Sequence, residues 1–208
     1  MAIEIWAAFA LASCILLVIP GPTILTVISY SVAHGNRANI PLIAAVALGD
    51  STALALSLAG LGAVLATSAW LFTAVKWVGG LYLIYMGIRL LLAKTEPLPT
   101  EEAGPVDSRL KLFGNTWLVT ALNPKGIIFF VAFLPQFVDP LSAVAPQLWI
   151  LSITFVALAT LNASLYAVFA ASARGLLSSP KAQRRFNISG GSLLAIAGGW
   201  ALTAKQPT

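Results

Sequence analysis

The sequence predicts an all-α integral membrane protein: six transmembrane helices forming two inverted three-helix repeats, with helices one and four broken near the bilayer midplane. Three observations carry that expectation. The 208 residues are 59% hydrophobic and 9% charged, with a mean hydropathy of +0.90, whereas soluble domains are about 25% charged. Two apolar stretches, Leu17-Val18-Ile19-Pro20-Gly21-Pro22-Thr23 and Ala121-Leu122-Asn123-Pro124-Lys125-Gly126, carry prolines where a spanning helix should run through. Several features of the first half also recur in the second, in order.

Apolar runs lie at roughly 5–33, 39–67, 69–93, 113–138, 146–173 and 186–204. Most reach the ~20 residues a helix needs to cross the hydrocarbon core. The one clearly water-loving segment is Lys94-Thr95-Glu96-Pro97-Leu98-Pro99-Thr100-Glu101-Glu102-Ala103-Gly104-Pro105. Residues 1–208 therefore read as a single transmembrane domain: repeat A at about 5–93, a linker at 94–112, and repeat B at about 113–204.

The breaks have a physical signature. Proline inside a helix removes a backbone hydrogen bond and clashes with the preceding turn, costing about 3 kcal/mol or more. In hydrocarbon the freed carbonyls meet no water, so a break persists only where protein or a wet cavity surrounds it. Each break also reads as a helix start, with Gly21 and Asn123 as N-caps and Pro22 and Pro124 at the first helical position. Pro20 completes the first break. Two half-helices would then aim unpaired N–H groups and positive dipole ends at a common centre, an arrangement suited to small anionic groups.

Charge placement sets the orientation. Arg37, Arg89, Lys94, Arg109, Lys111, Arg174, Lys181, Arg184 and Arg185 all fall on one side of a six-helix chain. The positive-inside rule puts that side in the cytoplasm and both termini outside. Trp6, Trp70, Trp149 and Trp200 fall at the predicted outer helix ends, where aromatic belts sit. The net charge of +5 is thus a topology signal rather than a nucleic-acid patch. Met1-Ala2-Ile3-Glu4 lacks the basic start of a cleaved signal peptide. Cys14 is the single cysteine, which excludes an intrachain disulfide and any CxxC pair.

The internal repeat is weak but ordered. Pro22 maps to Pro124 at an offset of 102, Asp50 to Asn162 at 112, and Gly79-Gly80 and Gly87 to Gly190-Gly191 and Gly198 at 111. An odd number of helices per copy makes the second copy enter from the opposite face, the plan of many secondary transporters. Small residues every seven positions also let membrane helices approach closely, which alone would select these glycines.

Few polar residues lie inside the apolar runs. Asp50 is the one deep carboxylate, about 15 Å into its helix if that helix starts near Ile40. A charged Asp there must pair, face water or take up a proton; the bland reading is a neutral hydrogen bond to a neighbouring helix. Lys125, beside the second break, would supply charge to a substrate carboxylate, pair with Asp50, or cap carbonyls freed by the break. Asn123 would cap its half-helix while facing the cavity. Asn162, alone in helix five, fits an interhelical hydrogen bond better than a ligand. Lys76 would snorkel outwards, and His34 sits in a solvated turn.

Pro20-Gly21-Pro22, Ala33-His34-Gly35-Asn36-Arg37, Gly49-Asp50, Lys76-Trp77-Val78-Gly79-Gly80-Leu81-Tyr82 and the stretch from Asn123-Pro124-Lys125 to Leu134-Pro135-Gln136-Phe137 together resemble the LysE/RhtB family of bacterial amino-acid exporters. The resemblance runs from about residue 17 to 200. It implies a six-helix inner-membrane protein that exports amino acids or related metabolites on the proton gradient, without a cofactor or metal. Where some relatives carry an acidic residue in helix five, this chain has none, leaving Asp50 as the sole deep acid. The implied partners are an amino-acid substrate, protons and membrane lipid, with no nucleic acid; the glycine faces of helices three and six would support a homodimer. Other classes remain open at this stage. One is a passive channel or membrane-assembly subunit. Another is an intramembrane aspartyl protease, which needs a second membrane aspartate that Asp139 is poorly placed to supply.

Overall fold

The structure is a computed structural model in which residues 1–67, 69–94, 108–139, 142–170, 172 and 179–203 are described. The predicted linker core (95–107), Arg174 and Lys205 lie outside the described residues, as do the side chains of Trp70, Lys76 and Trp200. Among the described residues all regular structure is helical. The elements are α1 (Ile3–Val18), α2 (Pro22–His34), a 3-10 turn (Gly35–Ala38), α3 (Asn39–Thr67), α4 (Ala69–Leu92), α5 (Arg109–Ala121), α6 (Pro124–Ile128), α7 (Val144–Val168) and α8 (Pro180–Thr203). After α6 the helix continues as a π-turn over Phe129–Phe133 and a 3-10 turn over Leu134–Phe137.

Among the described residues three stretches are long and apolar enough to cross a membrane: Pro22–Gly60, Arg109–Phe137 and Val144–Val168. The first is divided by the turn at Gly35, whose φ of 65° is the left-handed conformation glycine adopts without strain. Their surfaces suit lipid. On α7, Leu151, Phe155, Ala159, Ala163 and Ala167 are buried at every fourth position, while Trp149, Ile153, Leu161 and Leu165 on the other face are exposed and equally apolar. A helix hydrophobic on all sides belongs in a membrane or a large core.

Local chemistry explains the boundaries. Ser108 caps α5 by accepting from the Lys111 N–H at 3.2 Å. Helix α8 begins at Pro180, six residues before the apolar run the sequence suggests, because its first turns hold α4. Arg184 Nη1 donates to the Leu91 carbonyl at 2.6 Å and Asn187 Nδ2 to the Ala93 carbonyl at 3.4 Å. Orphan carbonyls at a helix end need such partners.

The core centres on α3 and α7, which pack on each other; α5 lies against α3 and α1 against α7. Helices α4 and α8 run antiparallel in backbone contact. A Cβ on Gly87 would stand 2.6 Å from the Gly191 carbonyl oxygen, and one on Gly198 2.6 Å from that of Gly80. The glycine faces expected to be free for a homodimer are therefore occupied within one chain at Gly80, Gly87, Gly191 and Gly198. At one end of the core Phe9, Phe129, Phe130, Phe133, Phe137 and Phe155 interlock, with ring centroids 4.7–6.1 Å apart among neighbours.

Candidate functional site

Both breaks form where the prolines put them. Helix α1 stops at Val18, and α2 restarts with Gly21 as extended N-cap and Pro22 at the first position. Helix α5 stops at Ala121; α6 restarts with Asn123 as N-cap, its Oδ1 accepting from the Lys125 N–H at 3.1 Å. The second half-helix is less regular than expected: α geometry lasts five residues before the π-turn.

At the first break three successive carbonyls lose their usual donors. Pro22 has no N–H for Val18, and the chain leaves helical geometry before Gly21 and Thr23 reach Leu17 and Ile19. Side chains from the second half replace them. Asn162 Nδ2 donates to Leu17 O at 3.1 Å, the Tyr166 hydroxyl to Val18 O at 2.9 Å, and Lys125 Nζ to Ile19 O at 2.6 Å. Leaving one such group buried without a partner costs about 1–3 kcal/mol. At the second break the Leu122 and Asn123 N–H groups bond to Leu118 and Thr120 carbonyls at 3.0 and 3.1 Å. Asn123 Nδ2 then reaches across to Thr23 Oγ1 at 3.1 Å, joining the two restarts.

Between the breaks lies a cavity of about 40 Å³, lined by Gly21, Thr23, Asp50, Asn123, Lys125 and Asn162 on its polar side. Leu17, Ile24, Val46, Phe155 and Ala159 complete the wall. A water occupies about 10–15 Å³ on this measure, so the space holds about three or four waters and no amino acid. Asp50, on α3, is buried and is the only carboxylate in the lining among the described residues. The Lys125 ammonium shares the cavity and attracts it. A Cβ on Gly21 would meet Lys125 at 3.6–3.7 Å, an ordinary van der Waals contact, so the lysine crosses between the breaks close beside Gly21.

Of the eight residues the sequence singles out, Gly21, Asp50, Asn123, Lys125 and Asn162 thus meet in one cavity. Pro20, Pro22 and Pro124 shape the breaks without lining it, and Pro22 and Pro124 are exposed. Lys125 does cap a freed carbonyl, one belonging to the opposite break. Asn162 makes the interhelical hydrogen bond expected of it. Thr23 and Tyr166 escaped the sequence reading. Tyr166 follows Asn162 by four residues, one turn along the same face, the one signal that could have paired them. Asp139 lies outside the cavity, its main chain bonded to Gln147 and its carboxylate accepting from Ser142 Oγ at 2.7 Å.

Residues 14–204 match the family described as LysE type translocator. An uncharacterized membrane protein of Vibrio cholerae is 32% identical over 205 residues, covering 99% of this chain and 100% of that protein. A homoserine/homoserine lactone efflux protein of Salmonella typhimurium is 30% identical over 206 residues, 99% of this chain and 100% of its own. A leucine efflux protein of Enterobacter sp. is 28% identical over 131 residues, 63% of this chain and 62% of its own. No solved structure matches. With nearly the whole length matched, the chain belongs to the LysE type translocator family.

Proposed function

We propose that this chain is a secondary transporter that exports amino acids or close metabolites from the cytoplasm across the bacterial inner membrane by proton antiport. The observation that carries this reading is the convergence of Asp50 and Lys125 on one cavity between two helix breaks. The family context supports it, since relatives are named for homoserine, homoserine lactone and leucine efflux. A zwitterionic amino acid brings one charge of each sign. The Lys125 ammonium attracts the carboxylate, aided by the positive end of α2. Asp50 holds the ammonium or, once substrate has left, a proton. One carboxylate that takes either cation but not both gives antiport in its simplest form.

The reading includes six spans in two inverted repeats: α1 with α2, α3, α4, α5 through Phe137, α7 and α8. The symmetry of contacts supports it. An exchange of halves that carries Gly80 to Gly191 and Gly87 to Gly198 turns the Gly80–Gly198 contact into Gly191–Gly87, as a two-fold axis requires. The packing of α5 on α3 is likewise mirrored by that of α1 on α7. Residues 1–208 are then one domain, with linker 94–112 in the cytoplasm and both termini in the periplasm.

Inside-out membrane vesicles test the function. Acidifying their interior should drive accumulation of labelled homoserine or leucine, and a protonophore should abolish it. Flux that follows the substrate gradient alone, whatever the pH difference, would favour a passive channel.

A further inference from the structure

Three buried polar atoms mark a route that no function yet accounts for. Ser31 Oγ, Asn39 Oδ1 and Thr116 Oγ1 are buried without a hydrogen-bond partner. Other hydroxyls on these helices are satisfied in the ordinary way: Thr26, Ser51, Thr52 and Thr120 each donate to the carbonyl four residues back at 2.7–2.9 Å. Ser31 and Thr116 forgo that bond. Buried polar atoms left unpaired point to water or a ligand in another state of the molecule.

Their positions are coordinated. Ser31 lies eight residues along α2 from Thr23, and Thr116 seven residues along α5 from Asn123, so each stands about 10–12 Å from the cavity at 1.5 Å per residue. Asn39 precedes Asp50 by eleven residues, three turns of α3, and shares its face about 16 Å away. The Tyr30 hydroxyl accepts from Asn115 Nδ2 at 3.4 Å, holding α2 and α5 in register at this level. Closure of the cavity differs in kind on its two sides. On the far side stand six phenylalanines; on this side aliphatic side chains close it, Ile24, Val27, Ile28 and Val46 next to the cavity and a small cluster of Ala38, Leu42, Leu112 and Tyr30 at the seam. A fourth unpaired hydroxyl, Ser13, lies on α1, away from the seam.

We infer that the seam between α2, α3 and α5 is the hydrated route by which a zwitterionic amino acid reaches the Asp50–Lys125 cavity from the face formed by His34–Asn39. Opening separates Leu42 from Leu112 and exposes Ser31, Asn39 and Thr116 as a polar track for substrate and its water. The present conformation is the closed form of that route. The inference rests on the export reading for the identity of the cargo, but not for the existence of the route.

Cysteine accessibility tests it. Cys14 is exposed and single, so Cys14→Ser provides a background for Ser31→Cys, Thr116→Cys and, as a core control, Ala163→Cys. With a membrane-impermeant methanethiosulfonate, Ser31→Cys and Thr116→Cys should react at least tenfold faster than Ala163→Cys. They should do so in inside-out vesicles and not in right-side-out ones. Saturating homoserine or leucine should slow the reaction if these are cargo; sided labelling without that protection would keep the route and reject the cargo. Radiolytic hydroxyl-radical labelling of the unmodified chain gives the same reading without substitutions, through modification of Leu42 and Leu112. Labelling of Ser31→Cys and Thr116→Cys no faster than the control, labelling only from the opposite face, or unmodified Leu42 and Leu112 overturns the inference.

Discussion

Gly198→Ala and Gly199→Ala are the same chemical change at adjacent positions of α8, yet the packing assigns them opposite signs. A Cβ at Gly198 lands 2.6 Å from Gly80 O, 2.8 Å from Ile84 Cγ1 and 2.9 Å from Ile84 N. Two of those three atoms are backbone and cannot rotate away. Ordinary contact begins at 3.4 Å, so α4 and α8 must part by about 0.8 Å, the difference between 2.6 and 3.4 Å. A gap of 0.5–1 Å forfeits roughly a quarter to a half of the dispersion energy of the atoms it separates, and overpacking a well-packed site costs about 1–3 kcal/mol. A Cβ at Gly199 meets nothing within 4 Å, and removing a helical glycine there gains about 0.5–1 kcal/mol. The two variants should therefore differ by about 1.5–4 kcal/mol. At roughly 2–4 °C per kcal/mol for a chain of this size, Gly198→Ala should melt several degrees below the unsubstituted protein in detergent, and Gly199→Ala at or above it. Equal melting temperatures would refute the close approach of α4 and α8.

Asp50→Asn should reach the membrane in normal amounts but lose uphill export. Persistence of downhill exchange, measured in the same vesicles, would assign Asp50 to the proton; loss of both modes would assign it to the substrate ammonium. Lys125→Met strands the part-buried Ile19 carbonyl and should destabilise by about 1–3 kcal/mol in denaturant titration. Combined with Asp50→Asn it should couple by about 0.5–3 kcal/mol, and strict additivity would show that the two charges act apart. Tyr166→Phe removes the donor to Val18 O and should cost about 0.6–1.7 kcal/mol, the range of side-chain hydrogen bonds between membrane helices. Pro22→Ala restores an N–H that competes with Tyr166 for the Val18 carbonyl. Because Pro22 is exposed, stability should hold while export falls; unchanged efflux would show the break to be dispensable.

The breaks were legible because proline and glycine act on their own backbone, so Pro20, Gly21, Pro22 and Pro124 fix the local geometry whatever surrounds them. Asp50 was legible for a different reason, since a carboxylate deep in an apolar run needs a purpose. What sequence alone did not reveal is which neighbour answers each need. Asn162 and Tyr166 serve the first break only because α7 lies beside α1, a tertiary fact without a local signal. The glycines at 80, 87, 191 and 198 announced a close helix approach, but the same pattern serves a dimer and an intramolecular pair. The π-turn at Phe129–Phe133 left no trace, since Phe129-Phe130-Val131-Ala132-Phe133 suits any buried helix.

The two breaks are alike in sequence and unlike in dependence, and the difference bears on how the site works. The second is bridged by its own backbone and by the Asn123 cap. The first has no such closure: Leu17, Val18 and Ile19 rely on Asn162, Tyr166 and Lys125 from the other half. Of those three donors only Lys125 is charged, and it shares the cavity lining with Asn162. On the proposed export reading, a substrate carboxylate that draws the ammonium away from Ile19 would loosen the first break. Because α2 runs from that break to the seam it shares with α3 and α5, a change at Ile19 bears directly on the helix whose movement would open the cavity. On that reading recognition and opening would act on one hydrogen bond, between Lys125 and Ile19, rather than on two separate devices.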